Sequence, residues 1–255
     1  TSERIAQLKQ QHPELAADVS FGATISACGA PSDLPEVKLE KPQAAQQCDI
    51  QVFLIEDDEP TRVGLREALR SQQGIDVYSE ATNAETGLVL LKSVGGGDVA
   101  LVDMSLPDKN AVELTGEFRQ IQKTSDNPEL KICILIDFQN QEEMLAALQA
   151  EAESYCLKNA PIEQLAEVIR LTHSGGFYLD PKIARAILSF LKNSQGEAII
   201  TEPEIEILEL IAAEASLEAI ASKLGVTVEM VNTTTSNFIN RFRQHQLSPL
   251  ALSIA

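Results

Sequence analysis

Residues 101–111, "LVDMSLPDKNA", carry an apolar run onto an aspartate and then directly into a proline-containing loop. Asp103 therefore stands where a buried strand is expected to end. The same punctuation recurs on both sides of it. Short apolar runs occur at "IQVFLI" (50–55), "IDVYS" (75–79), "DVALVD" (98–103), "KICILI" (131–136) and "SYCLK" (154–158). Helical-period segments open near residues 60, 83, 111, 141 and 162. Five strand–helix units of this size predict an α/β fold with a doubly wound, five-stranded parallel sheet. Such sheets gather reactive groups at the carboxyl ends of their strands, and Asp103 ends the third.

The remaining chain divides around this block. Residues 1–48 read as an N-terminal extension. In it Ile5, Leu8 and Leu15 lie near helical spacing around Pro13, and a Gly-, Pro- and Ser-containing linker follows. Residues 49–175 form the α/β unit. Residues 176–195 form a linker with one helix starting after Asp180–Pro181. Residues 196–255 are a small all-α unit in which Gly225 ends one helix and Thr227 caps the next, a helix-turn-helix pattern.

Composition narrows the function classes. The 255 residues suffice for two modest domains, and 44% hydrophobic with 23% charged residues predicts an ordinary globular chain. No apolar run reaches the roughly 20 residues that span a bilayer, and no secretory pattern opens the chain, so a cytoplasmic protein without membrane partners is expected. The net charge of −18 opposes unselective attraction to polyanions. Cys28, Cys48, Cys133 and Cys156 lack metal-ligand spacing; the last two lie in apolar runs and read as small hydrophobes. "VGGGDV" (94–99) precedes a strand and reads as a turn rather than a phosphate loop. His12, His173 and His245 have no identifiable nucleophile partner, so the chain is not expected to be an enzyme.

Chemistry concentrates at the strand ends. "IEDDEP" delivers Glu56, Asp57 and Asp58 to the sheet edge that carries Asp103, and the fifth strand delivers Lys158. Converging carboxylates repel one another unless a cation lies between them. Hard oxygen ligands suit Mg²⁺, which keeps positions open for phosphate oxygens. With Mg²⁺ held and Lys158 alongside, Asp103 is placed to attack a phosphoryl donor and form an acyl phosphate.

Residues 50–174 resemble the receiver domain of bacterial response regulators. The resemblance rests on the acidic pair Glu56 and Asp57, on Asp103 followed by Pro107, and on Lys158 after the aromatic Tyr155. The spacing from Asp57 to Gly64 and the "SGGFYLDP" ending (174–181) resemble the NarL/FixJ branch. The resemblance implies a flavodoxin-like sheet with Asp103 as phosphoacceptor, Glu56, Asp57 and Asp103 on Mg²⁺, and Lys158 on the phosphoryl oxygens. It also implies switch positions at Ile136 and Tyr155 and a cognate sensor histidine kinase. Two positions depart from the family. Ile136 stands where the family has Thr or Ser, so a hydroxyl that would bond the phosphoryl group is missing, with Asp137 adding charge beside it. Ala111 stands where Gly is usual, which carries a penalty if that position needs a positive φ.

Residues 200–242 resemble the LuxR-type DNA-binding domain. The resemblance makes "VEMVNTTTSNFINRFRQ" the recognition helix, with Asn232, Thr233, Thr234, Ser236, Asn237, Asn240 and Arg241, together with Arg243, facing a promoter DNA. Asn232 and Thr234 replace the family's usual Lys and His. Residues 196–255 carry eight Glu against one Lys and two Arg, so phosphate neutralisation is weak. Two functions are therefore expected as alternatives. One is a response regulator whose receiver controls a DNA-binding transcription domain. The other is a phosphorylation-insensitive adaptor that binds protein partners, with weak or no DNA binding and with the N-terminal extension as a docking segment or tether. A homodimer through the helix 4 to helix 5 side or the final helix accompanies the first.

Overall fold

The computed structural model describes residues 49–94, 97–124, 130–137, 141–193 and 200–250, and the expectations for residues 1–48 lie outside them. Six strands build one sheet: β1 (Ile50–Ile55), β2 (Ile75–Ala81), β3 (Val99–Asp103), β4 (Lys131–Ile136), β5 (Ser154–Leu157) and β6 (Tyr178–Leu179). Their order is β2-β1-β3-β4-β5-β6, and every pair is parallel. All five residues of β3 are buried, as are the last five of β4. That is why these strands read as unbroken apolar runs: both faces of a parallel sheet are covered. Chain order reverses between β1 and β3, which opens a crevice above their carboxyl ends.

β6 adds a strand to the five expected. Gly175 takes φ 84°, the chain turns back, and the amides of Tyr178 and Asp180 bond the carbonyls of Glu153 and Tyr155 at 3.3 and 3.0 Å. Two residues are too few to leave a periodic signal. The turn into β3 is equally tight. Gly97 has φ 70°, and a Cβ there would lie 2.6 Å from the carbonyl oxygen of Gln51.

Five helices flank the sheet: α1 (Glu59–Arg70), α2 (Ala84–Val94), α3 (Ala111–Thr124), α4 (Gln141–Ala147) and α5 (Ile162–His173). α1 begins where Asp58 Oδ2 accepts the amide of Thr61 at 2.9 Å, with a proline in its first turn. One core lies between the sheet and α1 and α5, around Val52, Leu54, Leu101, Leu135 and Ile169. The other, around Phe53, Val102, Phe118, Ile134 and Tyr155, lies on the opposite face.

This second core does not stop at the sheet. α6 (Pro181–Asn193) starts at Asp180, whose Oδ1 accepts the amide of Lys182 at 2.9 Å. Its buried face, Ile183, Ala184, Ile187 and Leu191, joins the sheet core to that of α7 (Glu202–Ala212), α8 (Leu217–Leu224) and α9 (Val228–Leu250). Phe190 meets Phe242 edge-on at 5.7 Å. Glu214 holds a left-handed backbone, φ 63°, which costs a residue with a Cβ about 1–2 kcal/mol. Its carboxylate is tied to Arg185 Nη2 at 2.7 Å, and Arg185 Nε bonds the carbonyl of Ala212 at 2.8 Å.

Between α8 and α9, Gly225 takes φ 66° and Thr227 Oγ1 accepts the amide of Met230 at 3.1 Å. α9 continues past the "VEMVNTTTSNFINRFRQ" stretch to Leu250. No helix breaker occurs between Arg243 and Pro249, and a proline in the last turn arrives too late to end the helix earlier. No described helix is long and apolar enough to cross a membrane.

Candidate functional site

β1, β3 and β5 bring four groups to one point. Glu56 is wholly buried, Asp103 is 2% exposed, and Asp57 faces solvent beside them. Carboxylate oxygens of Glu56, Asp57 and Asp103 all lie within 4.8 Å of one another. Lys158 Nζ stands 3.0 Å from Glu56 Oε2 and 2.9 Å from Asp103 Oδ2, with the exposed Asp137 at 3.9 Å. Residues separated by 102 positions in the chain thus share one pocket.

The pocket's electrostatics are under-compensated. Burial, followed by the charge of Asp103, raises the pKa of Glu56 above its ordinary 4.5. Burial likewise raises Asp103, against the opposing hydrogen bonds from Lys158 and the amide of Ser105. Burial disfavours the ammonium of Lys158, yet its bonds and charge contacts with Asp103 and Glu56 outweigh that, and its pKa is raised. One ammonium is left to balance four carboxylates. Moreover, the buried Glu56 Oε2 has Lys158 Nζ beside it at 3.0 Å but accepts no well-directed hydrogen bond. An oxygen in that position suits a hard divalent cation.

The surrounding backbone is fixed by groups that the sequence did not single out. Asp108, from the loop after Asp103, accepts the amides of Ala84 and Glu85 at 2.9 and 2.8 Å and so ties the β3–α3 loop to the first turn of α2. Burial opposes its charge, but those amides prevail and its pKa is lowered. Arg62 Nη1 bonds the carbonyls of Glu56 and Asp57 at 3.0 and 3.3 Å, which steadies the acidic turn. A carboxylate just past Asp103 in a loop reads as an ordinary turn residue until α2 is seen above it.

Ile136 is 1% exposed, at the end of β4 beside the pocket. Ala111 opens α3, buried, and Glu214 alone among the described non-glycine residues has a positive φ. The penalty considered for Ala111 therefore does not arise. Tyr155 is fully buried, its ring 6.0 Å from that of Phe177, and its hydroxyl donates to the carbonyl of Ala150 at 2.5 Å.

On α9 the proposed base-reading residues do not form one free face. Thr233, Asn237, Asn240 and Arg241 are exposed, whereas Asn232, Thr234 and Ser236 are half-buried. Arg241 is engaged in an ion pair with the buried Glu204, whose Oε2 accepts the amide of Thr201 at 2.9 Å in a capping box. Arg243, in turn, reaches across to the sheet unit, bonding the carbonyls of Leu148 and Ala150. Neither arginine of this helix is thus an unpaired cation.

Comparison with known proteins agrees in extent with this architecture. Residues 52–170 match the family model described as the response regulator receiver domain. The transcriptional regulatory protein LiaR of Bacillus subtilis is 32% identical over 196 residues, covering 75% of this chain and 90% of LiaR. The response regulator protein VraR of Staphylococcus aureus is 30% identical over 193 residues, with the same shares covered. Among solved structures, the RcsB response regulator of Salmonella typhimurium superposes with a TM-score of 0.50 at 18% identity, over 76% of this chain and 92% of that one, a likeness of fold.

Proposed function

The chain belongs to the response regulators of two-component systems, and from that premise we propose that it is a transcription regulator whose receiver, residues 49–175, controls a DNA-binding unit, residues 196–255, through the linker helix of residues 176–195. The observation that carries the reading is the convergence of Glu56, Asp57, Asp103 and Lys158 at the carboxyl ends of β1, β3 and β5.

In this reading Asp103 is the phosphoacceptor. A carboxylate oxygen of Asp103 attacks the phosphorus of an activated donor, in the cell the phosphohistidine of a sensor kinase. The bond from phosphorus to the donor breaks as the aspartyl phosphate forms, and the electron pair leaves with the donor. Burial of the carboxylate beside a single ammonium makes it a poorly solvated, reactive anion. Lys158, already 2.9 Å from Asp103, neutralises the incoming phosphoryl oxygens. Glu56, Asp57 and Asp103 fit a Mg²⁺ ion, the meeting of three carboxylate oxygens within 4.8 Å of one another being the best single indication. When bound, that ion supplies the charge neutralisation the transfer needs.

DNA is the partner proposed for α9, with Asn232, Thr233, Thr234, Ser236, Asn237 and Asn240 as polar readers, and the description of LiaR as a transcriptional regulatory protein supports this. Arg241 is better assigned to holding α7 against α9 through Glu204. The adaptor reading draws on the acidity of residues 196–255 and the engagement of both arginines. It predicts that no duplex is bound at any salt concentration.

The deciding experiment is intact-mass analysis after incubation with Mg²⁺ and acetyl phosphate. The expected result is a gain of one phosphoryl group that disappears in Asp103→Asn. The same gain in that variant would assign the acceptor elsewhere.

A further inference from the structure

α1 opens directly on the acidic turn, and one of its side chains grips the backbone there. Arg62 Nη1 donates to the carbonyls of Glu56 and Asp57 at 3.0 and 3.3 Å. A second nitrogen of the same group, Nε, stands 3.7 Å from Oε2 of Glu80, the penultimate residue of β2. Glu80 is buried and also meets Arg66 Nη1 at 3.3 Å, one helical turn further along α1. The end of β2 holds the same turn through its main chain, because the amide of Glu56 donates to the carbonyl of Ala81 at 3.1 Å. A buried carboxylate, a guanidinium and two carbonyls thus form one line from the edge of the sheet to the acidic pocket.

That grip fixes a peptide plane. In a planar trans peptide the carbonyl and the amide that follows it point in opposite directions. With the Asp57 carbonyl on Arg62, the Asp58 N–H is turned the other way, where it donates to Glu56 Oε1 at 3.3 Å. Lys158 Nζ donates to the same Oε1 at 3.2 Å. Glu56 is therefore held by one oxygen, and Oε2 is the oxygen left without a well-directed bond. Releasing the Asp57 carbonyl would free the peptide to rotate and would take the Asp58 N–H away from Glu56.

By charge alone, an arginine beside a cation site repels a divalent ion. Glu80 offsets this, since its carboxylate lies against the guanidinium where solvent screening is weak. We propose that Glu80 and Arg62 are positioning residues of the acidic pocket: Glu80 neutralises and aims the guanidinium, and Arg62 holds Glu56 and Asp57 in the orientation that takes the divalent cation. Their role rests on the metal reading of the pocket given above. Partners that orient metal ligands in this way carry about 10–100-fold of the affinity. Arg66 has no such part, because it meets Glu80 and Glu67 instead of the turn.

The test uses the full chain with Mn²⁺ as the probe, the bound fraction being read from the loss of the free-ion signal in electron paramagnetic resonance. Arg62→Met is the sharpest variant, because charge and geometry predict opposite signs for it. Removing a positive charge near a dication strengthens binding, whereas releasing the turn weakens it. The expected result is a dissociation constant raised about tenfold. An unchanged or lowered constant overturns the role of Arg62. Arg62→Lys keeps the charge, but its single nitrogen cannot meet the carbonyl pair and Glu80 together, so it weakens binding as Arg62→Met does. Glu80→Gln raises the constant as well. Full affinity in Arg62→Lys or in Glu80→Gln overturns the aiming by Glu80.

Arg66→Ala separates positioning from stability. It takes an ion pair from the same glutamate and lowers stability in urea unfolding, yet its Mn²⁺ affinity stays that of the unaltered chain. A parallel loss of affinity in Arg66→Ala marks the effect as one of general stability and overturns the positioning role. If Arg62→Met does not fold, Arg62→Lys and Glu80→Gln, set against Arg66→Ala, decide the matter. Failure of the unaltered chain to bind Mn²⁺ overturns the metal reading and the positioning role together. Equal binding by that chain and every variant overturns the positioning role alone.

Discussion

The amide of Lys158 donates to the carbonyl of Ile136 at 3.0 Å, so these two residues are locked side by side where β4 and β5 end. Lys158 turns into the acidic pocket, while the side chain of Ile136 is buried in the apolar core and offers no donor. Replacing Ile136 with Thr supplies a donor beside the site of phosphorylation. The substitution is expected to cost about 1 kcal/mol of stability, since a hydroxyl replaces buried carbon. The conformational change on phosphorylation, followed by hydrogen exchange with and without acetyl phosphate, should grow. An unchanged response would mean that the missing hydroxyl is not what limits the switch.

Divalent cation should stabilise the protein through its acidic pocket. At ten times the dissociation constant a single bound Mg²⁺ contributes about 1.4 kcal/mol, or roughly 3–5 °C in melting temperature for a chain of this size. Thermal melts with a Mg²⁺ series check this, and Asp57→Asn, at an exposed position where folding is not at stake, should remove the shift.

Two opposing pH effects follow from the carboxylates. Glu56 and Asp103 have folded pKa values raised by burial, so in the metal-free protein they weaken stability at neutral pH, and protonation relieves this as pH falls through their folded values. Asp58, Asp108 and Glu204 have lowered folded values. Their contribution is complete above the unfolded values, 3.8 for the aspartates and 4.5 for Glu204, and is lost as pH falls through the folded ones. Urea unfolding at a series of pH values should therefore show stability rising on mild acidification and collapsing below about pH 4. Asp103→Asn should flatten the rise and spare the collapse.

Glu204→Ala removes both the partner of Arg241 and the acceptor for the amide of Thr201. Because Arg241 is about half exposed, the ion pair itself contributes little, and the capping loss dominates at about 1–2 kcal/mol. Glu204→Gln, which keeps an acceptor, should recover most of it in the same denaturant titration.

Gly97→Ala forces a methyl to within 2.6 Å of the Gln51 carbonyl in a left-handed backbone. A loss of about 2–4 kcal/mol is expected in chemical unfolding, with β1 and β3 the strands whose amides lose protection.

Parts of this were legible in the chain and parts were not, for identifiable reasons. Asp103, Glu56, Asp57 and Lys158 announce themselves because a parallel strand is a continuous apolar run, and a charge at its end is conspicuous. β6 is too short for periodicity to register. Asp108 looks like any turn aspartate, since its partners lie 23 and 24 residues earlier and meet it only once α2 is in place. Arg241 and Arg243 read as cations for DNA because residue type reveals charge but not occupancy. Their partners, Glu204 and the end of α4, are 37 and 93–95 residues away. Ala111 looked strained only by the family's habit, and the first turn of α3 asks nothing unusual of it.

The apolar layer that runs from Phe53 through Ile187 to Phe242 has a calorimetric consequence. Heating cannot expose the helical tail without wetting side chains that the sheet also relies on. A scan should therefore record one endotherm whose van't Hoff and calorimetric enthalpies coincide. Occupancy of the aspartate crevice would then delay melting at the far end of the chain as much as at the near one.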